Sequence, residues 1–367
     1  MILSFGTYDG SRHPRIATIV EGLRVHGRTV LEVNRPLGLS TAERVRMLQQ
    51  PWRLPVLLLR LLGCWAELVV GARRTVRTHG RPEVVLVGYM GHFDVVLARV
   101  LFPRSTVVLD HLVFAGDTAT DRGAAGLKVR MLHLLDRLAT RCADLVLTDT
   151  DEHRRMLRRP GRGVVVPVGA PQAWFDAAPA PVARHAGGSL RVVFFGLYTP
   201  LQGAPVIGAA LAAAVAAGAP IQVTMVGTGQ DLPATRRAME GLGDVTWLEW
   251  VEPADLPALV ASHDVCLGIF SSTPKGLRVV PNKVYQGLAA GCVVVTSDTR
   301  PQRDLLGEHV ELVPPADPDA LAARLVRLAE SSDLAAARER ATAGRASITP
   351  EVVVEPLLFA LRTGGAR

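Results

Sequence analysis

The chain has 367 residues, 49% hydrophobic and 20% charged, with 34 glycines and 25 prolines. That is enough chain for two globular domains with cores of their own, and it excludes a disordered tail, a collagen-like fibre and a disulfide-stapled mini-domain. The formal charge of +7 is spread among interspersed acids with only 5% aromatic residues, which argues against nucleic acid and leaves a phosphate-bearing small molecule or an anionic membrane surface as partner.

In chain order, MILSFGTYDG reads as strand and turn without a charged leader or cleavage site, so a cytoplasmic protein is expected. Apolar runs rich in Val, Ile and Leu then recur at 2–8, 29–33, 84–89, 106–110, 145–148 and 164–168. A second series lies at 192–196, 223–227, 245–251, 265–270, 292–297 and 310–313. Near-continuous apolar strands alternating with helical-period segments predict parallel sheets covered on both faces. The fold class is therefore α/β: two Rossmann-like, doubly wound domains facing a cleft.

Two stretches are apolar enough to suggest membrane spans. Residues 54–72 contain Pro55, Arg60, Gly63 and Glu67, and the charge-free 192–230 is broken by Pro200, Gly203, Pro205, Gly218 and Pro220. Both are read as core elements of the α/β domains. Arginines among the leucines of 52–74 leave room for peripheral membrane contact, a helix covering the first sheet being the plainer reading. The segment AAPAPVARHAGGS at 177–189 is linker chemistry. These marks divide the chain into 1–176, 190–345 and 346–367, the last an apolar helix expected to return to the first domain. The cysteines Cys64, Cys142, Cys266 and Cys292 form no C-x-x-C pair and read as thiols in a reducing cytosol.

Ligands of open α/β sheets bind at loops after strands. Gly196 to Gly203, with Thr199 and Gln202 between, is such a loop, whose glycines let backbone N–H groups approach an anion. Gly227-Thr-Gly229 is another, without the third glycine of a dinucleotide fingerprint. The stretch 268–298 gathers Ser271, Ser272, Thr273, Lys275, Arg278, Asn282 and Lys283, including two of the three lysines in the chain. Compact ammonium groups there suit phosphate oxygens. Trp250 and Val251, with Glu252, stand where a nucleobase could stack, although Trp247 and Trp250 read equally well as core or rim. His111 ends the run 106–110 and is expected to emerge at the sheet end; His92 follows the run 84–89. Asp110 and Asp117 are carboxylates beside His111 in the sequence, in a spacing that does not itself specify a reaction. No His/Cys/Asp/Glu grouping has metal-ligand spacing, so no metal is expected.

The order of these motifs resembles a known family. It runs Gly6-Thr-Tyr-Asp9, Val87-Gly-Tyr-Met-Gly-His-Phe-Asp94, Asp110 with Asp117-Thr118, Val166-Pro-Val-Gly169, Tyr198-Thr-Pro-Leu-Gln-Gly203, then Pro281-Asn-Lys283 and Ala289-Ala-Gly291. The chain looks like a bacterial family 4 glycosyltransferase of the GT-B fold, in a branch with P-L-Q/H-G and P-N-K motifs. The resemblance implies a nucleotide-diphosphate sugar as substrate, held mainly by the second domain, and no further cofactor. A small-molecule or lipid-linked acceptor would sit on the first domain, with transfer by retention and without metal. It places Gly6 and Gln286 on the donor side and Asp9, His92, Asp110 and Asp117 on the acceptor or sugar side, and it makes His111 and Lys283 the catalytic pair.

Two departures follow. The Arg and Lys of the family's first loop in the second domain fall on Leu197 and Gln202, and its paired glutamates fall on Arg278 and Gln286. The missing positive charge reappears at Lys275, Arg278 and Lys283. These, with backbone N–H groups, would stabilise the leaving diphosphate, whose own oxygen would take the acceptor proton. An epimerase or hydrolase on the same fold, or a non-catalytic nucleotide-binding protein, stays open beside this reading.

Overall fold

The computed structural model describes residues 1–10, 14–39, 47, 50–112, 114–121, 124–178 and 188–364. All but the ends of the expected linker lies outside them. The chain divides into two compact units, Met1–Val166 with Val353–Arg367, and Pro167–Val352.

In the first unit the β-branched runs form a six-stranded sheet: β1 (Ile2–Gly6), β2 (Val30–Asn34), β3 (Val84–Val87), β4 (Thr106–Asp110), β5 (Leu145–Thr148) and β6 (Gly163–Val165). The strands are parallel in the order β2-β1-β3-β4-β5-β6, so the winding reverses between β1 and β3. Both faces are covered, as expected of near-continuous apolar strands. On one face Ile16 and Ile19 of the helix Pro14–Val25 pack with Val354, Leu357 and Leu358 of the chain's C-terminal end. On the other, Leu68 and Ala72 pack with Val95, Ala98 and Ala139.

The second unit repeats the plan with β7 (Leu190–Phe195), β8 (Ile221–Val226), β9 (Val245–Leu248), β10 (Val265–Leu267), β11 (Val293–Ser297) and β12 (Glu311–Val313). The order is β12-β11-β10-β7-β8-β9, all parallel, with the reversal between β7 and β10. The charge-free stretch resolves into β7, a short turn at Pro200–Gln202, the helix Ala204–Ala216 and β8. Alanines along that helix let it bury Ala210 and Ala214 beside Leu325 and Leu328 of the helix Pro318–Ala329.

Two sequence expectations need correction. The boundary falls after Val166, because the apolar Pro167-Val-Gly-Ala170 run and the helix Gln172–Asp176 belong to the second unit, as do residues 346–352. The stretch 54–72 is not a core element throughout. It opens the 26-residue helix Leu54–His79, which buries Leu57, Leu61, Leu68 and Ala72 but exposes Val56, Leu58, Leu59, Leu62 and Val70. Its apolar residues outnumber what one stripe against the sheet can cover.

Candidate functional site

In the second unit, the loops after β7 and β10 meet at the reversal point. Gly196 N donates to Val226 O at 3.1 Å, Tyr198 N to Thr228 O at 2.9 Å, and Phe270 N to Gln202 O at 3.0 Å. Glycine is required where these loops cross. At Gly227 (φ 117°) a Cβ would stand 2.0 Å from Gly196 O. At Gly203 (φ 66°) it would stand 2.7 Å from the Phe270 carbonyl carbon. Both combine a left-handed backbone with a close approach to main chain.

Lys283 lies in the first turn of the helix Asn282–Ala289 and is only 5% exposed. Its Nζ sits 3.7 Å above the Phe194 ring centroid and has no hydrogen-bond partner. A Cβ at Gly196 would come within 3.2 Å of it, so that glycine keeps the approach to the ammonium open. Burial pushes the Lys283 pKa down to about 7. The result is a desolvated amine beneath crossed glycine loops, poised to gain a proton and an anion together. Gln202 Oε1 is likewise buried without a partner, and Gln286 is buried.

The loop after β10 is internally braced. Thr273 N donates to Ser271 Oγ at 3.0 Å and Gly276 N to Thr273 Oγ1 at 3.1 Å, while Arg278 Nε donates to Pro274 O at 2.7 Å. Lys275 and Arg278 stand on the turn Gly276–Arg278 and its N-cap, both half-buried. Thr199, Val251 and Asn282 are half-buried too. Trp250 is 70% exposed, with Nε1 donating to Glu252 Oε1 at 3.0 Å. Trp247 packs against the core under the Arg236 guanidinium. Of the two tryptophans, then, Trp250 is the one open to a planar partner. It follows β9, two strands from β7 in the sheet order.

The first unit gathers a different cluster at the carboxyl ends of β3 and β4. His92 Nε2 lies 2.9 Å from Asp136 Oδ1, and that carboxylate also accepts from Ala115 N and Gly116 N. The His111 ring packs edge-on to His92 and Phe114, at 5.0 and 4.5 Å between centroids. His111 was expected to emerge at the sheet end, but it is 1% exposed. Phe114 and His92 close over it, and burial, helped by the charge of His92, lowers its pKa to about 3. Burial tends to raise the Asp136 carboxyl, but the bond and charge of His92, with His111 and the Ala115 amide, hold it below its ordinary value.

His92, His111 and Asp136 are also the one grouping of metal-ligand side chains among the described residues, although sequence spacing gave no sign of it. Asp136 already has both oxygens committed to donors, whereas His111 Nε2 lies 3.9 Å from Asp136 Oδ1 without a hydrogen-bond partner, so His92 and Asp136 form a hydrogen-bond network and His111 packs beside it.

Asp110 also departs from expectation. It is 1% exposed, with Oδ1 held by Arg15 Nε at 2.7 Å, and the same guanidinium reaches Val166 O. It locks β4 to the first helix, and a buried cation claims it before a sugar hydroxyl could. Gly6, expected on the donor side, lies in the first unit, where a Cβ would come within 3.1 Å of Asp94 Oδ2. Asp94 accepts from Thr7 N, Thr7 Oγ1 and Trp65 Nε1. Asp9 and Asp117 are half-buried, the former beyond β1 and the latter in the helix Ala115–Asp121. Arg15 and Asp136 went unnoticed in the sequence, because their partners lie 95 and 44 residues away.

The family model described as Glycosyl transferases group 1 matches residues 189–331. A phosphatidyl-myo-inositol mannosyltransferase of Mycolicibacterium smegmatis is 31% identical over 177 residues, 47% of this chain. The match spans less than half of that relative, 44% of its length. Sucrose-phosphate synthase from Thermosynechococcus elongatus superposes with a TM-score of 0.68 at 14% identity, over 99% of this chain and 98% of that one. Anabaena HepE, solved with UDP and glucose, gives 0.64 at 15% identity over 100% and 99% of the two chains. An α,α-trehalose-phosphate synthase (UDP-forming) from Burkholderia vietnamiensis gives 0.61 at 15% identity, over 98% and 96%. At such identities the likeness is one of fold, and the fold is GT-B.

Proposed function

We propose that the chain moves a sugar from a nucleotide-diphosphate donor to an acceptor hydroxyl, a reading supported by the match of residues 189–331, in the second unit, to the family described as Glycosyl transferases group 1. The donor is assigned to the second unit, and a small-molecule or lipid-linked acceptor to the first. The observation that carries this reading is Lys283, a buried amine without a partner at the reversal point of the second sheet, its approach kept clear by Gly196. Ligands of open α/β sheets bind at such points.

An incoming diphosphate would restore the charge of Lys283 and accept from its Nζ, in a site dry enough to make the contact strong. Charge grows on the diphosphate as the glycosidic bond breaks, so the same contact strengthens in the transition state. Lys275 and Arg278 add cationic charge from the neighbouring loop. With these cations in place, the chemistry proposed is metal-independent. Retention would follow if the leaving phosphate oxygen takes the acceptor proton on the face where the acceptor attacks.

Calorimetry with nucleoside diphosphates tests the assignment. Lys283→Ala should weaken binding by about 1.5–3 kcal/mol, roughly ten- to a hundredfold. Lys128→Ala, an exposed lysine of the first unit, should leave it unchanged. Equal affinities for the two variants would remove Lys283 from the site.

A further inference from the structure

One face of the first sheet is covered by three helices, Leu54–His79, Asp94–Leu101 and Leu127–Cys142, lying in that order. Each buries an inner edge in the same core, through Leu68, Val95 and Ala139. Their outer surface is unusually apolar. On the third helix Leu127, Met131, Leu134 and Leu138 are spaced as one helical stripe and are 49–73% exposed. Leu59 and Val70 on the first helix and Val100 on the second extend the same outer layer. Single exposed leucines are ordinary, whereas a layer of them marks a surface built to be covered.

The charge beside the leucine stripe is one-sided. Beside the stripe, a groove of about 430 Å³ is lined by Arg137, Arg141, Arg158, Arg159 and Arg162 over an apolar floor including Leu134 and Leu157. No acid lines it. Among the described residues, Arg137, Arg141, Arg158 and Arg159 form no ion pair, and Arg162 reaches only the Ala143 carbonyl. On the third helix the one acid, Asp136, is buried and faces His92.

We propose that this outer face docks on an anionic lipid bilayer, with the leucine stripe entering the headgroup boundary and the arginine groove taking lipid phosphates. Charge complementarity selects the occupant: five arginines over apolar side chains match an acidic amphiphile. A second copy of this face would oppose arginine to arginine. The first helix is long and apolar enough to cross a membrane by length and composition, but its inner residues Leu57, Leu61 and Leu68 are buried in the unit. Lying on the bilayer keeps that packing, and crossing it would not.

The test is flotation of the full chain with vesicles of phosphatidylcholine alone or with about 30% phosphatidylglycerol. Wild type should partition onto the acidic vesicles and hardly onto the neutral ones, with binding lost at high salt. The variant Arg141→Ala/Arg158→Ala/Arg159→Ala should lose about a hundredfold in partitioning, and Leu59→Ser/Leu134→Ser/Leu138→Ser should lose at least about tenfold. All six positions are exposed, and unchanged urea midpoints would establish that both variants fold. Equal binding to both vesicle types, wild-type binding by either variant, or no vesicle binding would overturn the proposal. So would a serine-sensitive dimer in sedimentation without vesicle binding, which would assign the face to a second copy.

Discussion

His111 shows how burial sets a residue's chemistry. A free imidazole takes up a proton near pH 6.5, but burial, with His92 beside it, holds this one neutral down to about 3. Between those values the unfolded chain binds a proton that the folded chain refuses, so stability falls as pH drops through the window. The slope attributable to this one group is at most about 1.4 kcal/mol per pH unit. His111→Phe, facing Phe114, should remove it, so that the variant loses less stability than wild type between pH 6.5 and 4.5. Urea unfolding across that range measures it. The buried acids that their partners hold low against the effect of burial, Asp136 beside His92 and Asp149 beside His153, lose their stabilising charge only at lower pH. Parallel slopes for the two proteins would mean that His111 does not carry the effect. Little of this environment was legible beforehand. The position of His111 at a strand end is local information, but its burial depends on Phe114, His92 and Asp136, which arrive from a loop and from a helix further along the chain.

At the scale of elements the sequence was far more informative. Every apolar run from 2–8 to 310–313 became a strand, because residues buried on both faces of a parallel sheet must be apolar without alternation. The loops joining strands to helices were equally readable where glycine marked a crossing. What stayed hidden was allocation: composition does not say which leucines of the helix Leu54–His79 meet the sheet, nor that Pro167 opens the second unit. The crossing glycines carry a testable cost. Gly227→Ala would place a Cβ 2.0 Å from Gly196 O in a backbone conformation that already disfavours alanine. Neither strand end can retreat without breaking the bonds of Gly196 N to Val226 O or Gly227 N to Leu248 O. A loss of at least about 2 kcal/mol is expected in the unfolding of the second unit. Gly243→Ala, open in space and without a positive φ, should change it little. If the two variants unfold alike, the loops do not interlock as described.

At the scale of the molecule, the chain leaves the first unit at Val166, builds the whole second unit, and returns from Val353. Each unit has its own core, so each should open as a cooperative body of its own. If the donor nucleotide binds the second unit alone, a saturating nucleoside diphosphate should stabilise that unit and leave the first as it was. At a hundred times its dissociation constant the gain is about 2.7 kcal/mol, close to a hundredfold slowing of exchange for amides that open with the unit. Hydrogen exchange should show it in β7, β8 and β10 but not in β1, β3 and β4. The helix Glu355–Arg362 is the discriminating segment. It follows the second unit in sequence, yet Leu357 and Leu358 are buried with Ile2 and Leu86. Its amides should therefore keep the first unit's rates, whereas a chain that opened sequentially from its C-terminal end would slow there too. The same protection in excess chelator is expected, because Lys283 rather than a metal is assigned to the diphosphate. Protection that vanished with chelator and returned with Mg²⁺ would transfer that role to a cation, and slowing spread over both units would place the nucleotide elsewhere.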